Sequence, residues 1–486
     1  MNEALTLLFN LFYLYLLLTA VILLLDNREP SVTIAWLFVF LAFPVFGFIL
    51  YMLFGRNWRH QRLQSRLTRQ FEERKLFRSL APLTRQQDRT TRQLSRKLAS
   101  PHLARLAELL RRNSNSLLTT RNRVKIFHQG RDKFAALLKD LEQARRFIHL
   151  EYFIWRSDAL TRQVHELLAR KARAGVEVRI LYDFLGSWRF RRRDRRFLRR
   201  AGVKLYAFLN FLAPFKLHTL NNRNHRKVAV IDGRIGYTGG MNLGQEYVDG
   251  GRRFPAWRDT HLRLEGEAAS VLTAIFAVDW HNTTGEELFQ KRYFPAPDAG
   301  RALPYAPLQV TTSGPDSEWP SIKQLFFQLI TSAEKRVYLQ TPYFIPDPSV
   351  HMALKTAGLS GVDVRIMVAG LPDKRLPFWS AFTFFEELLK AGVRIYHYQH
   401  GFLHAKTLAV DSRLASAGTA NFDIRSFHLN YELSNLLYDP RLARELEGQF
   451  LRDLRRCREF TLADYQRLGY ARRLRNSLAR LLAPLQ

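Results

Sequence analysis

Cysteine is nearly missing from this chain: Cys457 is the one example in 486 residues. No internal disulfide is possible, and the folded part is expected in a reducing compartment. Acidic residues are scarce beside basic ones, 43 Asp and Glu against 75 Lys and Arg, leaving a formal net charge of +32. That balance points to an anionic partner, nucleic acid or an anionic membrane surface, without choosing between them. Missing too is any compact cluster of His, Asp and Glu at metal-ligand spacing.

What is present begins with apolar length. "ALTLLFNLFYLYLLLTAVILLL" (residues 4 to 25) carries no charge, enough to cross a hydrocarbon core of about 30 Å as a helix. A second uncharged stretch, residues 31 to 55, follows after only "DNREP", so a two-helix transmembrane hairpin over residues 1–55 (helices about 4–25 and 31–54) is expected, with Pro44 placed to kink the second span. A cleaved signal peptide fits less well, because "MNE" has no basic start and the apolar stretch is too long. Residues 56 to 112 hold 16 Lys or Arg against 4 Asp or Glu, which places this basic juxtamembrane linker, and both termini, on the cytoplasmic side. The linker reads equally as a solvated helix or as one lying along anionic headgroups.

From residue 113 strand and helix alternate, and the order is repeated. "RRFIHLEYFIW" (145–155), the helical "RQVHELLARKARA", "GVEVRILYDFLG" (175–186) and "AGVKLYAF" (201–208) are answered by "EKRVYLQTPYFIP" (334–346), "GVDVRIMVAG" (361–370) and "AGVRIYHY" (391–398). Offsets near 180 to 190 residues indicate a duplicated α/β unit, with lobes at 113–300 and 301–486 and a boundary in "PAPDAGRALPYAP" (295–307).

The repeat is sharpest where chemistry is concentrated. "NHRKVAVIDGRIGYTGGMN" (224–242) and "LHAKTLAVDSRLASAGTAN" (403–421) place His225, Lys227, Asp232 and Asn242 in register with His404, Lys406, Asp411 and Asn421. Alternation along a strand puts each His on the same face as its Lys. Asp232–Gly233 and Asp411–Ser412 read as turns into a returning strand that brings each Asn back beside its His. One set is half a site. Two opposed sets would gather two imidazoles, two ammonium groups and two carboxamides, which suits a phosphodiester: Lys and Asn hold non-bridging oxygens, one His attacks phosphorus and the other protonates the leaving oxygen.

These residues resemble the two H-x-K-x-x-x-x-D motifs of the phospholipase D superfamily. With "WRDTHLRLEG", "TPYFIPD", "GFLHAKTLAVDSRLASAGTANFDIRSFHLNYELS" and the N-terminal spans, the chain is similar to the bacterial cardiolipin synthases over nearly its whole length. The resemblance implies duplicated phospholipase D-like α/β/α sandwich lobes related by a pseudo-twofold axis, in the bacterial inner membrane. It also implies metal-free, cofactor-free transfer of a phosphatidyl group between two phosphatidylglycerol molecules through a phosphohistidine, releasing glycerol. The motif residues His225, Lys227, Asp232, His404, Lys406 and Asp411 become the candidate catalytic set, and Asn242 and Asn421 the phosphate ligands. Within the set, Asp232 and Asp411 read as organising their turns. In relatives an acid 25 to 35 positions later orients each His, which implies Asp259 for His225 and Glu432 for His404. His225 is then the expected nucleophile, with Glu432 the more basic support for an imidazolium at His404. Expected partners are phosphatidylglycerol and anionic membrane lipids, with no nucleic acid and the oligomeric state open. A related phosphatidyltransferase or hydrolytic phospholipase D is the alternative, and a superfamily nuclease or a non-enzymatic scaffold fits less well. The arginine-rich "SWRFRRRDRRFLRR" (187–200) reads as a solvated face or a headgroup contact; Tyr343 and Phe344 read as core or cleft wall. The C-terminal "LRDLRRCREFTLADYQRLGYARRLRNSLARLL" reads as basic amphipathic helices without an assigned role.

Overall fold

The computed structural model describes residues 2–25, 30–43, 46–47, 51, 80–97, 101–208, 221–295 and 302–481. The chain divides into two units, residues 1–68 with 210–221, and residues 69–209 with 222–486. In the first unit the apolar stretches form helices over Asn2–Leu25 and Pro30–Ala42. Among the described residues no helix is long and apolar enough to cross a membrane. Most of the expected second span beyond Ala42, residues 56–79 and 98–100 of the basic linker, and residues 296–301 of the boundary lie outside the described residues, while the rest of the linker includes the helix Gln87–Lys97 and the start of the helix Pro101–Ser114.

The second unit is built on strands. In the first half these are β1 (Leu118–Phe127), β2 (Phe147–Tyr152), β3 (Glu177–Asp183), β4 (Lys204–Phe208), β5 (Arg223–Asn224), β6 (Lys227–Ile231), β7 (Ile235–Gly239), β8 (Trp257–Arg258) and β9 (His261–Gly266). In the second half they are β10 (Tyr305–Ser313), β11 (Arg336–Thr341), β12 (Phe344–Ile345), β13 (Asp363–Ala369), β14 (Arg394–Tyr398), β15 (Phe402–Leu403), β16 (Thr407–Val410), β17 (Leu414–Gly418), β18 (Phe422–Asp423), β19 (Asn430–Leu437) and β20 (Cys457–Phe460).

Reading outward from the middle, the first half runs β1-β9-β7-β6-β2-β3-β4 and the second β10-β19-β17-β16-β11-β13-β14, with β20 added at the edge. The two orders correspond strand for strand. They meet where β1 pairs antiparallel with β10, Leu118 opposite Gln309, so one sheet runs through both halves. β2, β3 and β4 are parallel to one another, as are β11, β13 and β14, and their near-continuous apolar runs suit strands covered on both faces. The helix Ala159–Arg173 connects β2 to β3, and Pro348–Leu359 is its counterpart in the second half. Each half keeps its own core, around Leu150, Ile180 and Trp155 in one and Leu339, Ile366 and Phe385 in the other. A third core is shared: Val228, Leu264 and Phe276 of the first half pack with Ala415, Leu433 and Leu446 of the second. Burial of that apolar surface resists separation of the halves.

The strands β6 and β16 are buried along their length. Each ends in a turn of positive φ, at Asp232 and Gly233 in one half and at Asp411 and Ser412 in the other. The carboxylate of Asp232 accepts backbone N–H groups of Arg145, Arg146 and Phe147; that of Asp411 accepts those of Glu334, Lys335 and Arg336. Each aspartate thereby ties its turn to the start of the neighbouring strand, β2 or β11.

Candidate active site

His225 stands between β5 and β6, and His404 between β15 and β16. The short strand before each histidine pairs across the halves. β5 runs parallel to the start of β19, Asn224 opposite Tyr431, and β15 runs parallel to β8, Leu403 opposite Arg258. The backbone N–H of His225 accordingly donates to the Tyr431 carbonyl at 3.0 Å, and that of His404 to the Arg258 carbonyl at 2.7 Å.

This crossing decides which acid each imidazole meets. His225 Nδ1 lies 2.9 and 3.0 Å from the two oxygens of Glu432, and His404 Nδ1 lies 2.6 Å from Asp259 Oδ2. The in-half pairing expected from chain order, His225 with Asp259 and His404 with Glu432, is therefore corrected. The reason is topological: β7 separates β6 from β9, and β17 separates β16 from β19. An acid at the head of β9 or β19 is two strands removed from its own histidine, while the parallel pairs carry it to the other one.

The carboxylates are held from several sides. Glu432 also accepts the Thr419 hydroxyl at 2.5 Å and the Asn430 amide at 3.2 Å; Asp259 also accepts the Thr260 backbone N–H at 2.7 Å. Beneath them lie two buried arginines that sequence reasoning missed. Arg226 donates to the Glu432 carbonyl and pairs with Asp279; Arg258 donates to the Asp259 carbonyl and pairs with Asp453 at 2.7 Å. Both were visible within "NHRK" and "WRDT", where a charged residue in a buried strand needs a counter-ion.

Lys227 and Lys406 are buried, and each Nζ donates back to the carbonyl of its own histidine. Each Nζ is therefore tied to the backbone of its own histidine. Asn242 and Asn421 line the same cleft, a cavity of about 600 Å³ that both histidines face. Asn242 is engaged on both sides of its amide, accepting the Ile154 N–H and donating to the Tyr247 hydroxyl. Asn421 Oδ1 accepts no hydrogen bond among the described residues. Asp232 and Asp411, counted with the catalytic candidates as motif members, stand at the other end of the strands, with carboxylates committed to backbone N–H groups. The ring of Phe153 packs edge-on to His225, and those of Trp257 and Tyr247 pack against His404. Tyr343, left between core and wall by the sequence, lines the cleft and donates to Asp373 at 2.6 Å, whereas Phe344 is core.

Burial pushes both imidazoles down to about 4 against the pull of their carboxylates. Both rings are therefore neutral near pH 7, with Nδ1–H given to the acid and the Nε2 lone pair left as the basic site. Burial opposes ionisation of Glu432, but His225 and Lys227 outweigh it and hold the carboxyl at about 2; His404 and Lys406 likewise outweigh burial and lower that of Asp259. Burial brings Lys406 to about 8 and draws Lys227 well below the ordinary lysine value. Among the described residues, no group of three or more His, Cys, Asp or Glu is arranged to hold a metal ion.

The chain is a duplicated α/β body whose halves each lend a carboxylate to the other's histidine. A solved phosphatidylserine synthase from Haemophilus influenzae shares this fold, with a TM-score of 0.58 at 14% identity, covering 79% of this chain and all of that one. The family described as "Cardiolipin synthase, PLD-like domain" matches residues 137–260 and 326–454, and "Phospholipase_D-nuclease N-terminal" matches residues 13–56. The cardiolipin synthase of Geobacillus kaustophilus is 40% identical over 96% of this chain and 91% of its own. The major cardiolipin synthase ClsA of Bacillus subtilis is 40% identical over 98% of both. The chain belongs to the cardiolipin synthase family of phospholipase D-like proteins.

Proposed function

We propose that this protein is a phosphatidyltransferase that joins two phosphatidylglycerol molecules into cardiolipin and releases glycerol. The observation that carries the reading is the crossed pair of histidine–carboxylate couples facing one cleft, in a chain of this family. His225 is the nucleophile. Its Nε2 attacks the donor phosphorus, the P–N bond forms as the bond to the glycerol oxygen breaks, and glycerol leaves with a proton from His404. The entering phosphodiester favours that proton on His404, where Asp259 stabilises the imidazolium. Neutral His404 then takes the proton of the acceptor hydroxyl, whose oxygen attacks phosphorus and breaks the P–N bond. Lys227, Lys406 and the two asparagines stabilise the charge on the non-bridging oxygens.

The acids favour His225 as the nucleophile. Glu432 divides its charge among His225, Thr419 and Asn430, while Asp259 serves His404 and one backbone N–H. The less shared Asp259 supports an imidazolium better, so His404 suits acid–base work and His225 attack. In this proposal residues 4–25 and 31–54 span the bacterial inner membrane as a hairpin, with both termini and the basic linker cytoplasmic.

Detergent-solubilised protein given labelled phosphatidylglycerol is expected to yield cardiolipin and glycerol without nucleotide and with chelator present; phosphatidic acid alone would make it a hydrolase. Given a donor with a good leaving group, which departs without the His404 proton, His404→Ala is expected to accumulate label on His225, and His225→Ala to take none. Label on His404 would reverse the two roles.

A further inference from the structure

The C-terminal helix Tyr470–Leu481 is turned inside out. Its apolar residues Tyr470, Leu474, Leu478 and Leu481 recur at one helical face, and they are 94%, 62%, 55% and 76% exposed. The side facing the protein carries Asn476 and Ala479, both buried. At about 100° per residue the buried pair lies opposite the apolar stripe. Arg473 and Arg480 flank the stripe on one side and Arg475 on the other, all exposed. Four large apolar side chains in water are a cost unless something covers them.

The helix is anchored against a wall of the catalytic cleft. It packs along Arg375–Ala381, with Arg475 over the Trp379 ring at 4.5 Å and Arg480 over the Phe384 ring at 4.6 Å. Pro377 of that wall lines the cleft and its neighbour Leu376 is exposed; across the rim Arg189 lines the cleft and its neighbour Trp188 is exposed.

We propose that the helix Tyr470–Leu481 is an interfacial anchor that lies in the surface of an anionic bilayer and holds the cleft rim against the lipid. Charge selects this occupant: the stripe is edged by arginines and no acid lies between Tyr470 and Leu481, in a chain of net charge +32. An apolar face framed by cations is the arrangement that enters the headgroup boundary of anionic lipid. A lipid substrate then diffuses from the bilayer into the cleft without crossing water; only this last step rests on the proposed function.

The test uses full-length protein with Cys457→Ser, which replaces a thiol bonded to the Asp453 carbonyl by a hydroxyl able to make the same bond, and with Leu478→Cys bearing an environment-sensitive fluorophore. In vesicles containing phosphatidylglycerol, a nitroxide on the lipid acyl chain is expected to quench the label about threefold. Replacing phosphatidylglycerol by phosphatidylcholine, or changing Arg473 and Arg475 together to Glu, is expected to reduce that quenching by about half or more. A label reached by aqueous iodide and not by the nitroxide would overturn the proposal. So would a label shielded from both, or one cross-linking to a second copy, because another protein surface would then cover the stripe. The variant Leu474→Gln with Leu478→Gln is expected to keep its turnover on short-chain phosphatidylglycerol in micelles and lose about fivefold or more on bilayer substrate; equal turnover on both would also count against the anchor. Parent protein inactive on both substrates would sink the proposed function and leave the quenching result standing.

Discussion

The two halves of the site carry the same histidine, lysine and asparagine but support their carboxylates differently. Behind Glu432 stands Thr419, whose hydroxyl donates to it. At the matching position behind Asp259 stands Gly240, where a Cβ would lie 1.9 Å from Asp259 Oδ1. The second half uses a side chain to share the acid's charge; the first uses bare backbone to let a shorter acid approach. His404 accordingly meets Asp259 through one short contact of 2.6 Å, whereas His225 meets both oxygens of Glu432 at 2.9 and 3.0 Å. The two imidazoles are similar in their setting, and in the proposed mechanism the residue behind each acid separates their chemistry.

The largest effects are expected at the acids themselves. Asp259→Asn and Glu432→Gln should each lower turnover by about 10²–10⁴-fold, because a carboxamide no longer fixes the Nδ1–H tautomer or supports an imidazolium. They should differ in kind. With a donor whose leaving group needs no proton, Asp259→Asn impairs only the resolving step at His404, so labelled intermediate builds up in single-turnover experiments; Glu432→Gln impairs His225, so little forms. The same pattern in both variants would erase the distinction between the halves.

A smaller pair of changes sharpens the contrast. Gly240→Ala drives a methyl into Asp259 and should cost about 10²-fold, whereas Thr419→Val removes one donor from Glu432 and should cost about tenfold or less. Steady-state kinetics on the two purified variants checks the order. Equal losses would mean that the residue behind the acid does not distinguish the halves.

Two predictions concern stability, where the halves should behave alike. Asp232→Asn and Asp411→Asn each weaken a carboxylate that gathers three backbone N–H groups. Each should destabilise the fold by about 1–3 kcal/mol with turnover per folded molecule unchanged, read from thermal unfolding beside activity. A loss of turnover without loss of stability would return these residues to the chemistry. On the acid side, burial holds His225 and His404 at about 4, below their unfolded value near 6.5. Protons then bind the unfolded chain first, so their contribution is present above about pH 6.5 and is lost as pH falls towards 4. The unfolding midpoint should drop across that window, and by less when either histidine is replaced by Gln.

Much of this was legible in the sequence because the signals are local. The repeated strand–helix order, the buried runs Val228–Ile231 and Thr407–Val410, and the turns at Asp232 and Asp411 each depend on neighbours within a few residues, and β6, β16 and their hairpins form there. The His–acid pairing was not legible, because it depends on which short strands meet across the halves. Asn224 opposite Tyr431 and Leu403 opposite Arg258 are contacts over long stretches of chain with no periodic signature. Arg226 and Arg258 were hidden for a related reason. Their counter-ions Asp279 and Asp453 lie on helices far along the chain, so two buried charges looked like two more among 75 basic residues.

The central claim, that each half orients the other's histidine, is tested most directly by ¹⁵N-histidine NMR of the full-length protein in detergent. The low-field Nδ1–H resonances are first assigned with His225→Gln and His404→Gln. Glu432→Gln should then shift or abolish the His225 resonance and leave that of His404 in place, and Asp259→Asn should do the reverse. Glu432→Gln acting on His404 while Asp259→Asn acts on His225 would contradict the crossed pairing.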